Sequence, residues 1–129
     1  MDKVHIQPTN TTPEVILDPR GTIKIKGRAI DERRTKSPEQ VTDWIDAYIL
    51  NPAGMTEVTV ALEFLNSFNT LIITALLKKI SQVKQHGKNI AVKWYYEEDD
   101  IDLFERGEYI SNTIDVPFEF IATDKITNC

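Results

Sequence analysis

The side chain best placed to carry chemistry in this chain is the hydroxyl of Ser67. It lies in Leu65-Asn66-Ser67, where an alternating run gives way to a helical one. Before this junction Val58, Val60, Leu62 and Phe64 alternate with Thr59, Ala61 and Glu63, the period of a strand with one face against a core. Beyond it Ile72, Ile73, Leu76, Leu77, Ile80 and Val83 recur at helical spacing. Lys78, Lys79, Lys84 and His86 gather toward the end, where cations suit the helix dipole, and Gly87 is the expected stop. The first N–H groups of such a helix lack internal partners, so Asn66 and Ser67 occupy a place that favours capping oxygens and tolerates anions. A hydroxyl there can cap, or it can carry phosphate.

A second candidate is the acidic run Glu97-Glu98-Asp99-Asp100. Paired carboxylates are suitable oxygen ligands for Mg²⁺, the reading of a small metal-dependent enzyme. A solvated acidic face is the plainer reading of the same residues, and a surface that receives a basic partner is a third. No Walker loop, G-x-S-x-G elbow, zinc-ligand spacing or dinucleotide fingerprint occurs. His5 and His86 stand far apart without ligand-like spacing, and the single cysteine, Cys129, makes neither an internal disulfide nor a cysteine metal cage. The expectation is a chain without a cofactor or bound metal.

The 129 residues, 41% hydrophobic and 27% charged, are ordinary usage for one globular domain spanning residues 1–129. No apolar run approaches the ~20 residues of a membrane span, and Met1-Asp2-Lys3 opens no secretory signal, so a cytoplasmic protein with no membrane partner is expected. The net charge of −5 is unevenly spread. Residues 97–108 hold seven acids against Arg106, while the rest has thirteen acids and fourteen bases. With no basic stripe carrying interleaved aromatics, nucleic acid is not an expected partner.

The elements that must hold these groups can be read in order. Residues up to Pro13 are polar and are expected to wrap the surface. Val15–Leu17 and Thr22–Lys26 flank Asp18-Pro19-Arg20-Gly21, a hairpin at the edge of a sheet with Ile23 and Ile25 inward. Residues 28–36 read as a loop. Ser37-Pro38-Glu39-Gln40 then opens a helix, with a buried stripe of Val41, Trp44, Ile45, Tyr48 and Ile49 and an end at Asn51-Pro52-Ala53-Gly54. Asn89–Tyr96 is another strand, with Ile90, Val92, Trp94 and Tyr96 on one face. A short helix is expected from about Asp100 to Glu108, and Val116–Ile121, containing Pro117, closes the sheet as an edge strand. The pattern predicts an α/β sandwich with a mixed sheet, an N-terminal hairpin and helices packed against it. On a helical wheel Ser67, Leu71 and Thr74 fall opposite the stripe centred on Leu76 and Ile80, so Leu71 is an apolar residue on a wet face. Beside a hydroxyl that can carry phosphate and near Phe68, that is what a partner-binding spot would look like.

Three stretches resemble the SiaC family of bacterial regulatory phosphoproteins: Thr12-Pro13-Glu14-Val15-Ile16-Leu17-Asp18-Pro19, then Leu62-Glu63-Phe64-Leu65-Asn66-Ser67, and above all Trp94-Tyr95-Tyr96-Glu97-Glu98-Asp99-Asp100. The last continues through Phe104-Glu105-Arg106-Gly107-Glu108 and Val116-Pro117-Phe118-Glu119. Gly27-Arg28 and Trp44-Ile45 with Tyr48 fit too. The resemblance implies a fold similar to anti-sigma factor antagonists of the SpoIIAA or STAS type and a non-enzymatic role in partner switching. It implies phosphorylation by a serine/threonine kinase related to anti-sigma factors and removal of the phosphate by a metal-dependent phosphatase. It further implies that the unphosphorylated form binds and activates a diguanylate cyclase, raising cyclic di-GMP in biofilm control. By position the acceptor is Ser67, with Thr70 second, and the partner-binding residues are Asn66, Ser67, Phe68, Leu71 and Thr74. An anti-sigma factor antagonist and a constitutive adaptor are the other readings. This chain departs from the family pattern in following Ser67 with Phe68 and Asn69, and in carrying Ala29-Ile30-Asp31-Glu32-Arg33.

Overall fold

Six strands form one mixed sheet in simple chain order. Strands β1 (Val4–Ile6), β2 (Glu14–Asp18) and β3 (Thr22–Ala29) are antiparallel neighbours, whereas β3, β4 (Met55–Leu65), β5 (Asn89–Glu97) and β6 (Phe118–Thr123) run parallel. Each parallel step is bridged by a helix: α1 (Lys36–Tyr48), α2 (Ser67–Ile80) and α3 (Ile101–Thr113). Because parallel crossovers are right-handed and the strands advance in one direction, the helices all fall on one face of the sheet. The computed structural model describes residues 1–31 and 36–129, the side chains of 36–38 excepted. The Ser37 cap lies outside the described residues.

The core lies between that face and the helices. Leu17, Ile23, Ile25, Val58, Val60, Leu62, Val92 and Trp94 from the strands meet Trp44, Ile45 and Tyr48 of α1, Ile73, Leu77 and Ile80 of α2, and Leu103 and Ile110 of α3. Tyr48 stacks on Trp44 with ring centroids 5.0 Å apart, and its hydroxyl meets Thr56 Oγ1 at 2.8 Å, so neither buried oxygen lacks a partner. The opposite face carries polar alternates such as Lys24, Thr59 and Lys93. There Ile126, in a short 3₁₀ turn (Ile126–Asn128), is buried, and its N–H donates to Glu97 Oε2 at 3.0 Å.

The mixed sheet, the hairpin, the three helices and the edge position of the last strand are as the patterning predicts. Several expectations are corrected. The first residues do not merely wrap the surface, because Val4–Ile6 pairs with β2 and the Trp44 indole donates to the Asp2 carbonyl at 2.9 Å. The hairpin is therefore one strand in from the edge. The segment read as a loop from residue 28 is shortened, since β3 runs to Ala29 beside Leu65. Phe64 does not share the inward face of Val58, Val60 and Leu62. Gly27 pairs with Leu62 but Arg28 with Phe64, which leaves Glu63 as an extra residue on β4. Such a bulge reverses the alternation, so Leu65 turns in and Phe64, 49% exposed, turns out beneath the Arg28 guanidinium.

The helical expectations shift in the same modest way. Helix α2 gives way at Ser81 to a 3₁₀ turn (Ser81–His86), and Gly87 ends that turn with φ +72°. Its buried stripe is Ile73, Leu77 and Ile80, with Leu76 half-buried at its margin. Helix α3 runs about a turn beyond Glu108, because Ile110 continues the stripe begun by Leu103 and Gly107.

Candidate functional site

The carboxyl end of β4 delivers the chain to the start of α2, and Asn66 organises this junction. Its Oδ1 accepts from the Asn69 amide N–H at 2.9 Å and its Nδ2 donates to the Ile30 carbonyl at 3.0 Å. Asn69 Nδ2 donates to the Asp31 carbonyl at 3.0 Å. Asn66 thus caps the helix, and the two asparagines together tie its first turn to the chain leaving β3. Asn66 is the cap, and Ser67 is the first helical residue, exposed. Replacing Asn66 by alanine removes the cap and the Ile30 tie together, an expected loss of about 1–2 kcal/mol in urea unfolding.

Helix α3 is seated beside this turn by aromatic packing. The buried Trp94 indole donates to the Leu103 carbonyl at 3.0 Å, and Gly107 lies flat against the same ring. Phe104 packs between Tyr96 and Phe120, at 5.1 and 5.3 Å between ring centroids. Asp100 Oδ1 caps the helix by accepting from the Leu103 N–H at 3.1 Å. With Leu103, Gly107 and Ile110 turned inward, the adjoining stripe of Asp102, Glu105, Arg106 and Tyr109 faces α2 across an open groove.

The groove holds about 410 Å³. Ser67, Thr70 and Leu71 form its α2 wall. Its apolar parts are exposed, Leu71 at 72% and Tyr109 at 67%. Its two walls are joined by Arg106, whose Nη1 donates to Thr70 Oγ1 at 3.0 Å while its Nε donates to Asp102 Oδ2 at 3.0 Å. Thr70 Oγ1 also donates to the Asn66 carbonyl at 2.8 Å. Among the described residues Ser67 has no such engagement, and it lines the groove as an exposed side chain.

Of the residues that the sequence marks for partner binding, the groove joins Ser67 and Leu71 and adds Thr70. Asn66 stands at its edge as the cap. Phe68 is half-buried, and Thr74, also half-buried, donates its hydroxyl to the Thr70 carbonyl at 2.7 Å. The acidic run is divided in its work. Glu97 holds the Ile126 amide and Asp100 caps α3, while Glu98 and Asp99 are exposed at the turn between β5 and α3. Among the described residues no cluster of three or more His, Cys, Asp or Glu side chains converges as a metal site would. No helix among them is long and apolar enough to cross a membrane.

Arg106 and Tyr109 are absent from the sequence-based site, as is the place of the α3 stripe in the groove. Asp102, Glu105, Arg106 and Tyr109 stand at i, i+3, i+4 and i+7, which places them on one helix face. That spacing is the available signal. What it does not reveal is that the face lies beside α2.

Residues 6–123 match the model of a family described as SiaC family regulatory phosphoprotein. An uncharacterized protein of Pseudomonas aeruginosa strain UCBPP-PA14 is 23% identical over 126 residues, covering 97% of this chain and 100% of the relative. Among solved structures, apo-SiaC from Pseudomonas aeruginosa superposes with a TM-score of 0.84 at 23% identity, covering 95% of this chain and 100% of that one. A second is SiaC from the same organism bound as activator to the diguanylate cyclase SiaD. It has a TM-score of 0.83 at 22% identity and covers 93% and 99% of the two chains.

Proposed function

The chain belongs to the SiaC family of regulatory phosphoproteins, and from that premise we propose that it is a non-enzymatic partner switch acting in the cytoplasm whose state is written on Ser67. In the unphosphorylated state the α2–α3 groove docks and activates a diguanylate cyclase, controlling cyclic di-GMP and biofilm formation. A serine/threonine kinase related to anti-sigma factors transfers the γ-phosphoryl group of ATP to Ser67 Oγ, and a metal-dependent phosphatase hydrolyses it off again. The observation that carries this reading is the position of Ser67. It is exposed at the first turn of α2 and shares one groove with the uncovered side chains of Leu71 and Tyr109. The SiaC structure in which the relative is bound to SiaD supports the choice of a cyclase as partner.

The location also suits a switch that leaves the fold intact. A phosphate brings about −1.5 to −2 charges and three acceptor oxygens, and a helix N-terminus accommodates such charge without unfolding. The test is the intact mass of the protein after incubation with its kinase and ATP. One phosphate is expected on the wild type, none on Ser67→Ala, and reversal by the phosphatase in the presence of its metal. Unchanged phosphorylation of Ser67→Ala would overturn the assignment, and transfer of the loss to Thr70→Ala would name the other hydroxyl.

A further inference from the structure

Among the described residues lining the groove, Arg106 is the cation. Two of its five N–H donors are used, on Thr70 Oγ1 and Asp102 Oδ2, which leaves three. The guanidinium is thereby held in place, its side chain only 27% exposed, yet neither partner binds it strongly. Asp102 is 69% exposed and four residues earlier on the same helix, a pairing of the weak surface kind. Thr70 offers a neutral hydroxyl. Ser67 stands one turn ahead of Thr70 on α2, and side chains three apart on a helix have Cβ atoms about 5–6 Å apart. A phosphate on Ser67 extends further into the same groove, toward a planar fork that matches phosphate oxygens and holds them bidentately.

We infer that Arg106 is an internal clamp for a phosphate on Ser67, an inference that rests on the phosphorylation proposed above. In the modified protein the guanidinium leaves Asp102 for the phosphate oxygens and draws the two walls of the groove together. Docking is then opposed twice over, by the new charge and by Arg106 spanning the space between Leu71 and Tyr109. The freed Asp102 adds its carboxylate to the rim. Among the described residues, the other groups that line the groove around the phosphate are Glu105 and Tyr109 of α3. The carboxylates of Asp102 and Glu105 raise the second pKa of the phosphate, and Arg106 lowers it.

The clamp is tested on protein carrying phosphoserine at position 67 installed during translation, so that no kinase is needed. In a ³¹P titration the midpoint of the wild type is expected about one pH unit below that of Arg106→Gln, the scale of a close opposite charge. Arg106→Lys, which keeps the charge without the fork, is expected between them. The Arg106 Nε–H resonance should move with the same midpoint as the phosphorus signal. Equal midpoints in wild type and Arg106→Gln, or an Nε–H signal indifferent to the phosphate, would overturn the clamp and leave the kinase assignment standing. A clamp that forms in protein which the kinase never modifies on Ser67 would instead defeat the proposed function.

Discussion

Replacing Gly107 by alanine is expected to cost about 2–4 kcal/mol of stability, although the change would favour an isolated helix by ~1 kcal/mol. A Cβ at this position would lie 2.5 Å from Trp94 Nε1, 2.6 Å from Cε2 and 2.7 Å from Cδ1. None of these atoms is the far end of a flexible chain. The indole is fully buried and fixed by its hydrogen bond to the Leu103 carbonyl, one turn earlier on the same helix. Either α3 lifts away or the ring turns. Lifting α3 disturbs the packing of Phe104 against Tyr96 and Phe120, and turning the ring leaves a buried N–H without an acceptor. Overpacking of this kind typically costs about 1–3 kcal/mol, and an orphaned buried donor about as much again. In a domain whose total stability is about 5–15 kcal/mol, the midpoint of urea unfolding should fall markedly. A variant as stable as the wild type would mean that α3 does not sit on the indole. The groove would then have lost its structural basis.

The Gly107 contact shows where sequence reading stops. The periodicities around it are plain: Trp94 on the inner face of a strand, Leu103 and Phe104 as apolar anchors, a helix after the acidic run. That a glycine is there because an indole occupies its side-chain space depends on how the helix lies across the sheet. The same limit explains Phe64. Its place in an alternating run predicts burial, and the bulge at Glu63 reverses it through a register between strands that begin over thirty residues apart. The junction was more legible, because Asn66 and Ser67 stand where one periodicity replaces another. In the sequence Asn69 stands out only as a departure from a family pattern, yet it secures the first turn of α2 to the Asp31 carbonyl. Arg106 is the clearest loss. Its partner Thr70 lies 36 positions away, and the base merely dilutes the acidic count in residues 97–108 until α2 and α3 are seen side by side.

Phosphorylation of Ser67 should weaken cyclase binding by about 100-fold or more. The bare groove combines the exposed apolar surfaces of Leu71 and Tyr109 with one arginine and two carboxylates. A partner that covers Leu71 must also pass over the Ser67 oxygen, since the two are neighbours one turn apart on α2. Covering a neutral hydroxyl is inexpensive, whereas desolvating a dianion, which the single charge of Arg106 neutralises only in part, costs several kcal/mol unless the partner brings further cations to meet it. The nearby carboxylates of Asp102 and Glu105 make that harder. Calorimetric titration of the cyclase with unmodified protein, phosphorylated protein and Ser67→Ala should therefore give tight, weak and tight binding in turn. Leu71→Glu should weaken binding in the unmodified state to a similar degree, since it removes apolar burial of about 1.5–3 kcal/mol and introduces a charge at the contact. A constitutive adaptor behaves differently: it is sensitive to Leu71→Glu and indifferent to the phosphate. If the phosphorylated protein bound as tightly as the unmodified one while Leu71→Glu failed, the groove would remain the docking site and Ser67 would cease to be its switch. If neither change mattered, the partner would have to dock elsewhere, because a partner seated in this groove meets the α2 wall that Leu71 and Ser67 form.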